Sequence, residues 1–353
     1  MPETRVHQID LLRFVSALMV MAYHFAYPGL PGAIAALPYP ETLWLARFGY
    51  QGVSLFFMIS GFVIIMSASG GDWRGFVASR IGRLYPAFWV GCGISALVLA
   101  AQGKAPGAAV VLANLTMLPG ALGVPALDSV YWTLAVEVQF YALVVLVLAC
   151  GALARLEALL LGWLLLCLLD QALDVPLLRL LFITQHGAHF IAGALYFRVR
   201  ALGMNPARAA MLVLAWASGL GRSVVALPPA DSGWAAVLVV ALLLTGFHLA
   251  LLAVALRRSG RLETRPWPLA GALTYPVYLL HNVLGWAVLE WGHGLVNPHL
   301  LFWAVVLGVL ALAWAVHAAV ERRFAGPMRA AALRVLRRFP PRLAAGMGMG
   351  NRG

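Results

Sequence analysis

The sequence predicts an all-α, polytopic membrane protein with about ten transmembrane helices and both termini in the cytoplasm. Three observations lead there. The 353 residues are 62% hydrophobic and 11% charged, against about 45–50% and about 25% in soluble domains. So few charges cannot cover a water-facing surface, whereas lipid can replace water as the outer solvent. The apolar residues also gather into segments of roughly 17–25 residues, the length that crosses a bilayer. Finally, the basic residues fall between these segments on alternating sides. With the N-terminus inside, Arg5, Arg74, Arg80, Arg83, Arg155, Arg198, Arg200, Arg208, Arg257, Arg258, Arg261 and Arg265 are cytoplasmic. So are Arg322, Arg323, Arg329, Arg334, Arg337, Arg338, Arg342 and Arg352, and only Arg47, Lys104, Arg179 and Arg222 lie outside. That asymmetry follows the positive-inside rule.

The expected spans are 8–28, 52–69, 84–101, 130–150, 153–169, 178–198, 207–221, 234–256, 268–290 and 299–320. Asp10 and Arg13 interrupt the first run and no small-residue cleavage site follows it, so it reads as a retained helix and not a signal peptide. Pro106, Asn114 and Pro119 mark 108–120 as a half-helix or re-entrant piece. Arg80 and Arg83 fall in the loop before the third span. From 322 onward basic residues recur at helical spacing, with Leu333, Leu336 and Phe339 on the other side, and this tail suits the anionic inner leaflet. The expected organisation is one membrane domain over 1–324 and a basic cytoplasmic tail over 325–353.

The net charge of +12 raises nucleic-acid binding, but the basic residues form no single stripe and no nucleic-acid motif occurs. Cys92, Cys150 and Cys167 all sit in apolar stretches, which disfavours a disulfide framework or a zinc site. His186 and His189 have i, i+3 spacing but no HExxH motif or neighbouring carboxylate, so no metal is expected. Ser60 lacks the Gly-x-Ser-x-Gly elbow of a nucleophile.

Charged groups within hydrocarbon are costly and usually face a bundle interior or a water-filled cavity. Asp10, Arg13 and His24 share the first span. The spacing of Arg13 and His24 is close to three turns, so both point one way, about 16 Å apart at ~1.5 Å per residue. Asp10 lies one turn before Arg13 and can pair with it. One reading is structural: an Asp–Arg pair at the cytoplasmic edge and a histidine at the interface. The other is chemical. Arg13 holds an anionic or carbonyl group entering from the cytoplasm. His24, whose free pKa is near neutral, serves as general base for a hydroxyl arriving from the opposite side.

Five segments in order carry a resemblance. Ile9-Asp10-Leu11-Leu12-Arg13 followed by His24 resembles the opening motif of the acyltransferase-3 family of membrane O-acyltransferases. Phe56-Phe57-Met58-Ile59-Ser60-Gly61-Phe62 is similar to its second-helix signature, and Arg80-Ile81-Gly82-Arg83-Leu84-Tyr85-Pro86 to its Arg-x-x-Arg segment. Trp132-Thr133-Leu134-Ala135-Val136-Glu137-Val138-Gln139-Phe140-Tyr141 and Thr274-Tyr275-Pro276-Val277-Tyr278-Leu279-Leu280-His281 resemble two later blocks. Glu321-Arg322-Arg323-Phe324 lacks the proline that members often carry after the last-helix glutamate.

The resemblance implies transfer of an acyl group, acetyl above all, from cytoplasmic acyl-CoA to a hydroxyl of a glycan or glycolipid, within the bacterial inner membrane. Acyl-CoA is then a donor substrate, and no permanently bound cofactor is expected. His24, Arg13 and Glu137 are the expected catalytic residues, with Glu137 orienting His24 or the acceptor. Arg80 and Arg83 suit the donor phosphates. Asp10, Trp132, Tyr141, His281 and Asn282 are expected at the substrate. Each also has a structural alternative: positive-inside charge for the arginines, an ion pair for Glu137, packing for the aromatics. The rival functional class is a secondary transporter, disfavoured by the lack of repeated halves or a matched pair of broken helices.

Overall fold

The computed structural model of the protein describes residues 6–26, 46–227, 233–258, 260 and 267–340. Arg5, Arg261, Arg265, Arg342 and Arg352, part of the charge asymmetry, lie outside the described residues. Among the described residues every regular element is a helix. In chain order these are α1 (His7–Ala26), α2 (Gly52–Ala68), α3 (Trp73–Ala101), α4 (Ala108–Asn114), α5 (Trp132–Ala149) and α6 (Leu156–Leu173). There follow α7 (Pro176–Phe182), α8 (Thr184–Leu202), α9 (Pro206–Val225), α10 (Trp234–Ala255), α11 (Pro268–Leu280) and α12 (Asn282–Gly292). The last are α13 (Pro298–Val316) and α14 (Arg322–Leu336), joined by a π-turn over His317–Glu321.

Seven helices are long and apolar enough to cross a membrane, or eight if α11 and α12 count as one bent span. The protein is therefore polytopic and all-helical. The expected spans 178–198 and 207–221 do not join that set. They correspond mainly to α8 and α9, which carry Gln185, His186, His189, Arg198 and Arg200, and Arg208 and Arg222. The residues Gly187–Tyr196 of α8 are all buried, so protein, not lipid, surrounds them.

The centre of the bundle is the crossing of α2 and α8. Gly61 packs on the Phe190 carbonyl, and Gly193 on the Met58 carbonyl, so the backbones occupy the space a side chain would need. Close approach through small residues is a usual solution where lipid supplies no hydrophobic drive between helices. Phe57 and Phe190 stack beside it at 4.7 Å between ring centroids.

Three expectations are corrected. First, Arg80 and Arg83 are not in a loop. Asp72 caps α3, accepting from the Arg74 and Gly75 amides at 3.1 and 3.2 Å, so the helix starts before the apolar run does. Second, two expected spans are broken. The chain turns at Ile183, where φ is +45°, a rare conformation for a β-branched residue. Tertiary bonds hold it on both sides: Trp163 Nε1 donates to the Phe182 carbonyl at 2.7 Å, and the Thr184 hydroxyl to Asp170 at 2.8 Å. The other break lies at His281, between α11 and α12, with a bend of 64°. Third, Cys150 is exposed, unlike the buried Cys92 and Cys167.

Candidate active site

A helix that stops leaves carbonyls without donors, and one that starts leaves amides without acceptors. The break at His281 creates both, and side chains answer both. His281 Nδ1 lies 2.8 Å from the Tyr278 carbonyl and 3.2 Å from that of Val277. Across the break, Asp128 accepts from the Val283 amide at 3.1 Å and from Asn282 Nδ2 at 2.6 Å. Asp128 and His281 are both buried.

This arrangement sets the protonation pattern of a second histidine. A carbonyl only accepts, so His281 Nδ1 carries the proton and its Nε2 presents a lone pair. His24 Nδ1 lies 3.0 Å from that Nε2. In the neutral pair His24 Nδ1 is therefore the donor, and the remaining lone pair sits on His24 Nε2.

His24 lines a cavity of about 570 Å³ at the C-terminal end of α1. Tyr23, Tyr50, Phe57, Trp132 and Tyr278 give it aromatic walls, and Gln51, Ser54, Ser129, Gln185, His186 and Arg222 add polar groups. His186 sits between Trp132 and Phe57, with ring centroids at 5.3 and 5.2 Å. Arg222 is held by Asp170, a buried carboxylate that also accepts from Arg179 at 3.0 Å and from the Val175 amide at 3.0 Å. Aromatic faces with a few fixed polar groups are the general make-up of a small-ligand site.

A second cavity of about 630 Å³ lies at the other end of α1. Asp10, Arg13, Arg83, Tyr275, His317, Glu321, Arg322 and Arg329 line it. Arg13 Nε is buried with no hydrogen-bond partner. Its guanidinium carbon lies 5.7 Å from the centre of the Phe56 ring, which in turn stacks on Tyr278 at 6.0 Å. Phe56 and Tyr278 thus connect the basic cavity, at Arg13, to the aromatic cavity, at His24. Among the described residues no group of three or more His, Cys, Asp or Glu residues is arranged to hold a metal ion.

The family described as Acyltransferase domain, acyltransferase-3, matches residues 6–318. The chain belongs to the acyltransferase-3 family. No curated protein and no solved structure matches it. This acyltransferase-3 protein is an enzyme that transfers acyl groups other than aminoacyl groups, and the reaction class of the family is O-acyl transfer.

Within this acyltransferase-3 fold the predicted residues separate into five places. His24 and Trp132 line the aromatic cavity, and Asp10, Arg13 and Arg83 the basic one. His281 stands behind His24 and lines neither. Asn282 bonds to Asp128 and to the Ser129 hydroxyl, at 3.0 Å for the latter, and so pins the helix break. The buried Glu137 and Tyr141 and the half-buried Arg80 form a separate group. The Ser60 hydroxyl donates to Glu137. Arg80 lies over the Phe76 ring at 5.6 Å and Tyr141 meets the same ring edge-on at 6.1 Å. Glu137 lines neither cavity.

Sequence reasoning missed Asp128, His186, Arg222, Arg322 and Arg329. Asp128 and Asn282 are 154 positions apart, and no spacing rule links them. Arg222 reads as an ordinary loop charge until α9 is seen to continue to Val225. His186 carried a usable signal, since it is a polar side chain inside a buried helix.

Proposed function

We propose that this acyltransferase-3 protein carries an acetyl group from acetyl-CoA in the basic cavity to a hydroxyl of a glycan or glycolipid in the aromatic cavity, with His24 as general base. The observation that carries the reading is the His24–His281 contact. It leaves a lone pair on an imidazole that lines one cavity, on the same helix face as an arginine lining the other.

The charge asymmetry of the sequence supports placing the basic cavity on the cytoplasmic side of a bacterial inner membrane, where acyl-CoA is made. His24 Nε2 takes the proton of the acceptor hydroxyl as the oxygen attacks the thioester carbonyl carbon. The C–O bond forms, the C–S bond breaks, and the departing thiolate takes the proton back from His24. Arg13, on the donor side, is placed to hold the acyl carbonyl or the pantetheine arm as it passes Phe56. The aromatic walls suit the apolar faces of a sugar ring, and the amide and hydroxyl groups suit its hydroxyls.

Purified protein carrying His24→Ala is expected to keep its folded state and its donor binding and to lose acetyl transfer to glycan. Full transfer by a folded His24→Ala protein overturns the reading. Mass spectrometry of surface glycans and lipids from a deletion strain identifies the acceptor by a missing acetyl mass of ~42 Da, set by replacement of a hydroxyl hydrogen by an acetyl group.

A further inference from the structure

The sequence sets α14 apart as part of a basic tail, and the family match ends at residue 318. The structure gives α14 a different position. It packs along α3 beside the Arg-x-x-Arg segment, where Gly82 has no side chain and the Ala325 carbonyl and Arg329 Cβ fill that space. The contact sets Arg329 next to Arg83. Arg322 and Arg329 are seven residues apart, two turns of helix, so both face one way, about 10 Å apart along the axis. Both line the basic cavity with Arg13 and Arg83.

The cavity therefore draws four guanidinium groups from three helices. Two carboxylates oppose them, Asp10 and Glu321. Glu321 is engaged by His317, whose Nδ1 lies 2.7 Å from Oε2 inside the π-turn. Among the described residues no hydrogen bond or ion pair engages Arg83, Arg322 or Arg329. An excess of guanidinium groups over carboxylates around one cavity fits a ligand with several phosphates, because each planar fork binds phosphate oxygens in a bidentate way.

We infer that α14 is part of the donor site: Arg322 and Arg329 bind the nucleotide phosphates of the acyl-CoA donor together with Arg83. This rests on the donor reading above and extends it past the matched domain. The thioester end of the donor points along α1 toward Arg13, and its phosphates stay at the cavity mouth between α3 and α14. The π-turn matters to this placement. His317, Glu321 and Arg322, in it or next to it, all line the cavity, and such turns often mark functional positions.

The test uses the full chain in nanodiscs of phosphatidylcholine, with acetyl-CoA and acetyl-pantetheine, which lacks the nucleotide phosphates, as donors. Arg322→Ala and Arg329→Ala are each expected to raise KM for acetyl-CoA about tenfold with kcat at saturating donor unchanged, as for loss of one charge-assisted contact. KM for acetyl-pantetheine stays at the wild-type value. Arg329→Lys recovers part of the loss, and Arg334→Ala, exposed on the same helix, changes nothing. Unchanged acetyl-CoA KM in both alanine variants overturns the inference. So does an equal loss with both donors, which reports structural damage. An effect seen only when phosphatidylglycerol is added assigns the arginines to lipid headgroups and also overturns it. If the wild-type protein binds no acetyl-CoA, the donor reading itself fails, and this inference with it.

Discussion

His24 Nδ1 and His281 Nε2 stand 3.0 Å apart, joined across 257 positions of sequence. The helix break beneath His281 supplies the Tyr278 carbonyl that fixes one proton, and that proton fixes the next. The histidine that lines no cavity thereby decides which nitrogen of its neighbour is free.

On the proposed reading His281 positions His24, and its amide analogue separates that role from packing. His281→Ala is expected to lower kcat by about 10²-fold or more, within the range attributed to general base catalysis. His281→Gln can still donate to the Tyr278 carbonyl and accept from His24, and is expected to recover much of the rate. Steady-state kinetics of the two variants at saturating donor decide it; equal activity of the two removes the relay.

Asp128 holds the start of α12 and through it the break. Asp128→Ala leaves the Val283 amide without its acceptor and Asn282 with only the Ser129 hydroxyl. Loss of such bonds to a charged group costs about 1.5–3 kcal/mol each. A lower thermal midpoint in detergent is expected, together with reduced acyl transfer. An unchanged midpoint shows that solvent replaces the carboxylate.

Trp132 forms part of the wall of the aromatic cavity, proposed above as the acceptor site, and is half-exposed at 46%. Trp132→Ala is expected to raise acceptor KM about tenfold, since an aromatic face contributes both area and stacking. Donor affinity, measured by acetyl-CoA binding in the absence of acceptor, should not move. A shift in donor affinity instead assigns Trp132 to the other substrate.

The Gly61–Phe190 and Gly193–Met58 approaches leave no room for a side chain. Gly193→Val must push α8 away from α2 at the centre of the bundle, and overpacking of that kind costs about 1–3 kcal/mol or more. Low yield of folded protein on size-exclusion chromatography is expected. A monodisperse variant with wild-type activity shows that the crossing yields easily.

The sequence by itself determined the class of this protein. Low charge, long apolar runs and ordered motifs each report composition along the chain, and membrane insertion and family depend on just that. His24, Arg13 and Trp132 stood out as candidates because a charged or ring side chain in an apolar span is conspicuous, and Arg83 through its Arg-x-x-Arg motif; all four line one of the two cavities. Only the tertiary structure decided what these residues face. The helix starts at Asp72, before the apolar run, because a cap and not hydropathy sets a helix end. The break at His281 reads as continuous apolar sequence, because the groups that stabilise it, Asp128 and His24, come from distant segments. Glu137 bonds to Ser60 and lines neither cavity, and Arg322 and Arg329 line the basic cavity with Arg83. Both outcomes depend on how helices pack, which apolar periodicity in a lipid-soluble chain specifies weakly, since lipid-facing and core-facing positions are equally apolar.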